Sequence, residues 1–172
     1  MTNLREVYKI FEVVMFLLIS FWRDDFLQFM GIDLEIKDIL SVHYTTKYGK
    51  QVILDFVFQA TNNRVYDLEF QHPFADDDDL DRFGFYNIIL ETFVKEIVET
   101  IIVNYTKKPD DNFKIVHRGF SKSFHPKQHY VGECDFKTHF RNIKKKVKTY
   151  SQSGAISKFT PIEEVAMLVR CV

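Results

Sequence analysis

Two neighbouring runs of the chain carry side chains whose types and spacing could do chemistry. In "QVILDFVFQ", Val52, Leu54, Phe56 and Phe58 alternate with Ile53, Asp55 and Val57, so a carboxylate stands among apolar residues on a strand apolar on both faces. In "RVYDLEFQ", Tyr66, Leu68 and Phe70 share one face, and Val65, Asp67, Glu69 and Gln71 share the other. A buried carboxylate is costly unless it is paired, hydrogen-bonded or bound to a cation. If the two strands pair across the turn "ATNNR", Asp55 and Glu69 come close together and repel unless positive charge lies between them. Mg2+ or Mn2+ meets that need, because a hard cation takes oxygen ligands, often one or two carboxylates with substrate phosphate and water filling the rest. Gln71 then points into the same site. Being neutral, it orients a water but supplies no charge. The alternatives are structural. Asp55 is equally satisfied by backbone N–H groups or an Arg, and Glu69 by solvent. Asp67 fits either a surface residue or the rim of the site.

The elements that must position these residues follow from periodicity. Residues 4–22 carry apolar side chains at helical spacing, apolar all round from Val13, and predict a buried helix. An irregular or short helical connection with Gly31 as a break leads to three strands, Ile39–Tyr48, Gln51–Ala60 and Val65–Gln71. Short turns at Gly49 and at Asn62 and Asn63 make them an antiparallel meander. A Pro-containing loop then enters an amphipathic helix whose start is acidic, Asp76 to Asp79 and Asp81, as the helix dipole favours. A strand over Val98–Thr106 follows, and the helical crossover is long enough to set it parallel to a neighbour. Beyond it come short strands in "FKIVHRG" and "FHPKQHYVGE", a basic helix in "DFKTHFRNIKKKVKTYSQ", and a last helix opened by Pro161. The expected class is α+β, or mixed α/β, in one domain over 1–172, with a core near 4–106 and an extension over 107–172.

The order helix, three strands, helix, strand, with Asp55 on the second strand and Glu69-x-Gln71 on the third, resembles the PD-(D/E)XK nuclease superfamily. Its signature is an Asp, then an acidic residue, any residue and Lys. Gln71 stands where Lys is general. The Glu-x-Gln ending is similar to the branch of recombination-promoting nucleases and related transposases. The resemblance covers roughly residues 39–105 and implies a restriction-endonuclease-like αβββαβ core with a mixed central sheet flanked by helices. It implies Mg2+-dependent (or Mn2+-dependent) hydrolysis of phosphodiester bonds in DNA, with Asp55, Glu69 and the Phe70 carbonyl as metal ligands and Asp55, Glu69 and Gln71 as the catalytic set. Glu6 and Glu12 are both candidates for the family's additional acid on the first helix. The alternative is a catalytically inactive protein of this fold that binds nucleic acid or a protein partner.

The remaining features set bounds. A chain of 172 residues that is 46% hydrophobic and 16% aromatic, with eighteen Phe, excludes a disordered polymer. Its net charge of −1 points to no polyanionic partner on average, so any nucleic-acid surface must be a local patch. The basic helix supplies one, with Arg141, Lys144, Lys145 and Lys146 available for phosphate contacts, or simply solvated. Arg82, four residues before Tyr86 on one helix face, either contacts phosphate or packs on the sheet. The longest apolar run, Val13–Trp22, is half of the roughly twenty residues a membrane span needs. Neither a signal peptide nor a membrane helix is expected. Cys134 and Cys171 lack metal spacing and suit a reducing, cytoplasmic setting. The histidines show no metal spacing, and neither a nucleophile with a flanking base nor a Gly-rich phosphate loop is evident. One active site per chain would favour a homodimer for cutting both strands of DNA.

Overall fold

The computed structural model describes residues 4–73, 75–108, 124–153 and 158–171, with the backbone alone for residues 4–12, 150, 153 and 171. The expected strand in "FKIVHRG" and the side chains of Glu6 and Glu12 lie outside the described residues. The chain divides into two compact units, residues 35–133 and residues 1–34 with 134–172.

The first unit holds the strands. β1 (Ile36–Ile39), β4 (Phe56–Ala60) and β5 (Val65–Gln71) pair antiparallel, β6 (Val98–Asn104) joins β5 in parallel, and β7 (Lys127–Tyr130) joins β6 in parallel. The result is a five-stranded mixed sheet in the order β1-β4-β5-β6-β7. β2 (His43–Thr45) and β3 (Gln51–Ile53) form a separate two-stranded ribbon. The two strands expected as continuous over Ile39–Tyr48 and Gln51–Ala60 are therefore each broken. The Leu40 N–H donates to the Val57 carbonyl and the Leu54 N–H to the Val42 carbonyl, so the chain passes from sheet to ribbon at Leu40–Val42 and returns to the sheet at Leu54–Asp55.

Asn63 (φ 62°) takes the left-handed turn position expected of it, and β5 emerges with every residue from Val65 to Phe70 buried. α2 (Asp77–Val94) is capped by Asp76, whose carboxylate accepts the Asp79 N–H while Asp79 accepts the Asp76 N–H. The helix lays Leu80, Phe83, Ile89 and Leu90 against the sheet residues Val57, Val65, Val98 and Ile102. Each such side chain contributes about 2 kcal/mol by burial. The helix-to-strand junction, which lacks Gly and Pro, is made by Lys95 in the left-handed conformation (φ 62°).

The second unit is helical. α1 (Leu4–Phe29) follows the expected helix to Trp22, leaves helical geometry at Arg23, and resumes to Phe29. Met15, Leu18 and Ile19 are buried, but Val13, Phe16, Leu17 and Phe21 are exposed, so one face is covered rather than the whole circumference. α3 (Phe136–Ser153) meets α1 through an edge-on contact of Phe136 with Phe29 at 5.2 Å, and α4 (Pro161–Cys171) through the Trp22 indole N–H to Glu164 at 3.1 Å. Among the described residues no helix is long and apolar enough to cross a membrane.

Candidate metal centre on the central strand

β4 begins at Phe56, whose register partner is Leu68. The residue before it, Asp55, sits in a bend, and its Oδ2 accepts the Phe70 N–H at 2.8 Å. The carboxylate thus satisfies a β5 N–H where the ladder with β4 stops. In return the Asp55 backbone N–H donates to the Glu69 carboxyl. The two carboxylates selected from the sequence are brought side by side.

Asp67 shares their face and is 0% exposed, which excludes the surface position that the sequence left open for it. The Thr100 hydroxyl, opposite it on β6, donates to Asp67 Oδ2 at 3.3 Å. Asn87 of α2 supports Thr100, donating to its Oγ1 at 3.2 Å and to the Val98 carbonyl at 2.9 Å. Burial pushes the Asp67 carboxyl up to about 7; hydrogen bonds from Glu69 and Thr100 oppose this, and the Asp55 charge adds to it. Glu69, 3% exposed, is held well above the ordinary carboxylate range, first by burial and then by the charges of Asp67 and Asp55. The two carboxyls hydrogen-bond to each other and titrate as a pair.

Two oxygens are left over. Asp67 Oδ1 and Glu69 Oε1 are buried and have no hydrogen-bond partner among the described residues. Orphaned buried acceptors cost about 1–3 kcal/mol each, and a hard cation is the partner that their chemistry fits. The fit rests on few protein ligands. Among the described residues no group of three or more His, Cys, Asp or Glu is arranged as a ready metal cage. Asp55 and Glu69 match the one or two carboxylates by which Mg2+ is commonly held, with other positions taken by water and substrate phosphate.

Gln71 lies at the end of the same face, where its Nε2 donates to Asp79 Oδ2 at 2.8 Å. Asp79 also pairs with Arg82 at 3.0 Å, and that guanidinium lies 4.8 Å over the Phe83 ring. Arg82 is thus linked to the site through Asp79 while remaining about half exposed. Tyr86 packs on both apolar clusters under α2. Its phenol is raised by burial and by the charges of Glu69, Asp55 and Asp67, against a lowering by Arg82, which puts it within electrostatic reach of the carboxylates. Sequence reasoning missed the supports Thr100, Asn87 and Asp79. The one signal available was Asn87, a polar residue in the apolar run "FYNIIL".

The basic helix lies in the other unit. Arg141, Lys144 and Lys145 are exposed on α3. Lys137, Arg141 and Lys144 join Arg170 of α4 around a recess of about 400 Å³ floored by Phe136 and Phe140. Lys146 is committed differently. Its ammonium pairs with Glu163 at 2.5 Å and donates to the Lys158 carbonyl at 3.1 Å, while Glu163 also accepts the Thr160 N–H at 2.8 Å. Lys146→Ala strands a buried carboxylate and should lower stability by about 2 kcal/mol, whereas Lys145→Ala should change it little. Urea midpoints of the two variants check this, and equal midpoints would contradict the assignment.

Comparison of the chain with family models, curated proteins and solved structures returned no match.

Proposed function

We propose that this protein is a metal-dependent nuclease that hydrolyses phosphodiester bonds in DNA, built on a restriction-endonuclease-like core of the PD-(D/E)XK type and serving a mobile-element or recombination function in the cytoplasm. One observation carries the reading. Asp55 and Glu69 are interlocked across neighbouring strands through the Phe70 and Asp55 N–H groups, with a buried Glu69 oxygen left without a partner. Asp55 and Glu69, with the Phe70 carbonyl, are the residues that would hold Mg2+ or Mn2+. When bound, the cation would lower the pKa of a water and offset charge on the scissile phosphate.

The chain's own residues divide the remaining work. The Phe70 N–H fixes the Asp55 carboxylate, and the Asp55 N–H fixes Glu69. Asp79 demands a donor from Gln71, so the Gln71 amide nitrogen faces Asp79 and its Oε1 faces away as an acceptor. That oxygen accepts a hydrogen bond from the attacking water and orients it. Arg82, held by Asp79, supplies positive charge near the phosphate that a neutral Gln71 does not. Gln71→Ala should therefore lower kcat about a hundredfold with little change in KM, and Gln71→Lys should restore most of it. An unchanged kcat in Gln71→Ala would remove Gln71 from the catalytic set.

The reading as a whole is tested by incubating the protein with supercoiled plasmid in Mg2+, in Mn2+ and in EDTA. Nicked or linear product in either metal, absent in EDTA, is expected. Its absence in both metals would leave the non-catalytic reading, a nuclease-like module that binds nucleic acid or a protein. Linear product at first order in plasmid would also favour a homodimer with one site per chain.

A further inference from the structure

A second feature of the strand-bearing unit is unused by this chemistry. The turn between β2 and β3 and the C-terminal half of α2 enclose a groove of about 780 Å³. Its rim carries Lys47, Lys50 and Lys95, and no carboxylate lines it among the described residues. Its walls carry Tyr48, Phe85 and Phe93. Tyr48 is 85% exposed and Phe93 is also exposed, although both are large aromatic rings. Lys47 Nζ lies 5.0 Å from the Tyr48 ring centroid and Lys50 Nζ 4.6 Å from that of Phe85, so each cation sits beside a flat apolar face.

We infer that this groove binds a single-stranded stretch of polynucleotide, with unpaired bases on Tyr48 and Phe93 and phosphates at Lys47, Lys50 and Lys95. The rim requires an anion, because three ammonium groups face no acid across the groove. The walls require an occupant with flat apolar faces repeating beside its charges. An unpaired nucleotide strand has both, since every base presents a stacking face and every nucleotide one phosphate. A duplex buries those faces within its own stack. A simple aliphatic anion would leave the exposed Tyr48 ring uncovered. The choice of a polynucleotide rests on the nuclease reading, which it deepens by naming unpaired strands as the substrate element held beside the carboxylates' own sheet.

The test measures the anisotropy of a fluorescein-labelled oligothymidylate 12-mer with the full chain in EDTA, at several salt concentrations. Tyr48→Ala should weaken binding about tenfold, and Tyr48→Phe, which keeps the ring, should bind as wild type. The pair Lys47→Gln and Lys50→Gln should reduce the salt slope by about 1.4. Each of these side chains is exposed, so the variants keep the fold, and a far-ultraviolet spectrum verifies this. Less than a twofold effect of Tyr48→Ala, or equal affinity for a duplex of the same length, overturns the inference. Preferential binding of an acidic peptide or a long-chain carboxylate in place of the oligonucleotide overturns it as well. Because the assay needs neither metal nor cleavage, its failure is separable from that of the nuclease reading. Tyr48-dependent binding without plasmid cleavage sinks only the latter.

Discussion

Glu69→Ala and Asp55→Ala should each lower Mg2+-dependent plasmid cleavage by about a thousandfold. The size follows from the few protein ligands available. With two carboxylates and a main-chain carbonyl as the whole protein contribution, losing one carboxylate removes most of the affinity and the placement of the cation together. Both variants should also lose stability. Glu69→Ala leaves the Asp55 N–H without its acceptor and takes a hydrogen bond from Asp67, a cost of about 1–3 kcal/mol. Asp55→Ala leaves the Phe70 N–H without its acceptor inside the sheet, a cost of about 1–3 kcal/mol. Rates are therefore compared at a temperature where both variants are folded by circular dichroism. Cleavage that persists at the wild-type rate in folded Glu69→Ala would mean that the chemistry lies elsewhere.

The second large effect is on stability against pH in the absence of metal. Asp67 is raised by burial from 3.8 to about 7 in the folded protein. A group raised on folding contributes fully below its unfolded pKa, and that contribution is lost as pH climbs through its folded pKa. Stability from this group therefore falls between about pH 4 and pH 7 and stays low above it. The interval, at ~1.36 kcal/mol per pH unit, is on the order of 4 kcal/mol. Glu69, raised in the same sense, adds to the loss. Glu99 works oppositely: Lys127 and Arg64 hold it low, so its contribution is present above the unfolded carboxylate pKa and is lost in acid. The difference between wild type and Asp67→Asn isolates the buried group. Urea midpoints in EDTA should show Asp67→Asn more stable at pH 8 and nearly equal at pH 4. A difference that is flat with pH, or that grows toward acid, would contradict the burial account.

The order of elements was legible because the sequence punctuates it. Asn63, the Asp76 cap and the basic residues of α3 each mark a boundary by local chemistry. Alternation in β5 gives Asp67, Glu69 and Gln71 one shared face. What alternation did not reveal is that the face is covered. Its cover comes from α2 and from β6, paired in parallel after a crossover, and no local signal reports so distant a contact. The break of β4 at Asp55 was equally hidden, because "QVILDFVFQA" favours strand throughout and only the cross-links from Leu40 and Leu54 divert it. The Gln71–Asp79 bond joins residues eight apart on a strand and a helix, which spacing in the sequence does not convey. Lys146 is like its neighbours in "KKK" by sequence, and only Glu163 of α4, brought against it by the fold, sets it apart.

Asp55 and Glu69 should hold a divalent cation without any substrate, and a Mn2+ titration reads that directly. Free Mn2+ is followed by its electron paramagnetic resonance signal at pH 8, where the carboxylates are most readily ionised, with wild type and with Glu69→Gln. The expected result is one saturable site in the wild type that is lost, or weakened at least tenfold, in Glu69→Gln. Binding that is absent in the wild type, or unchanged in Glu69→Gln, would contradict it.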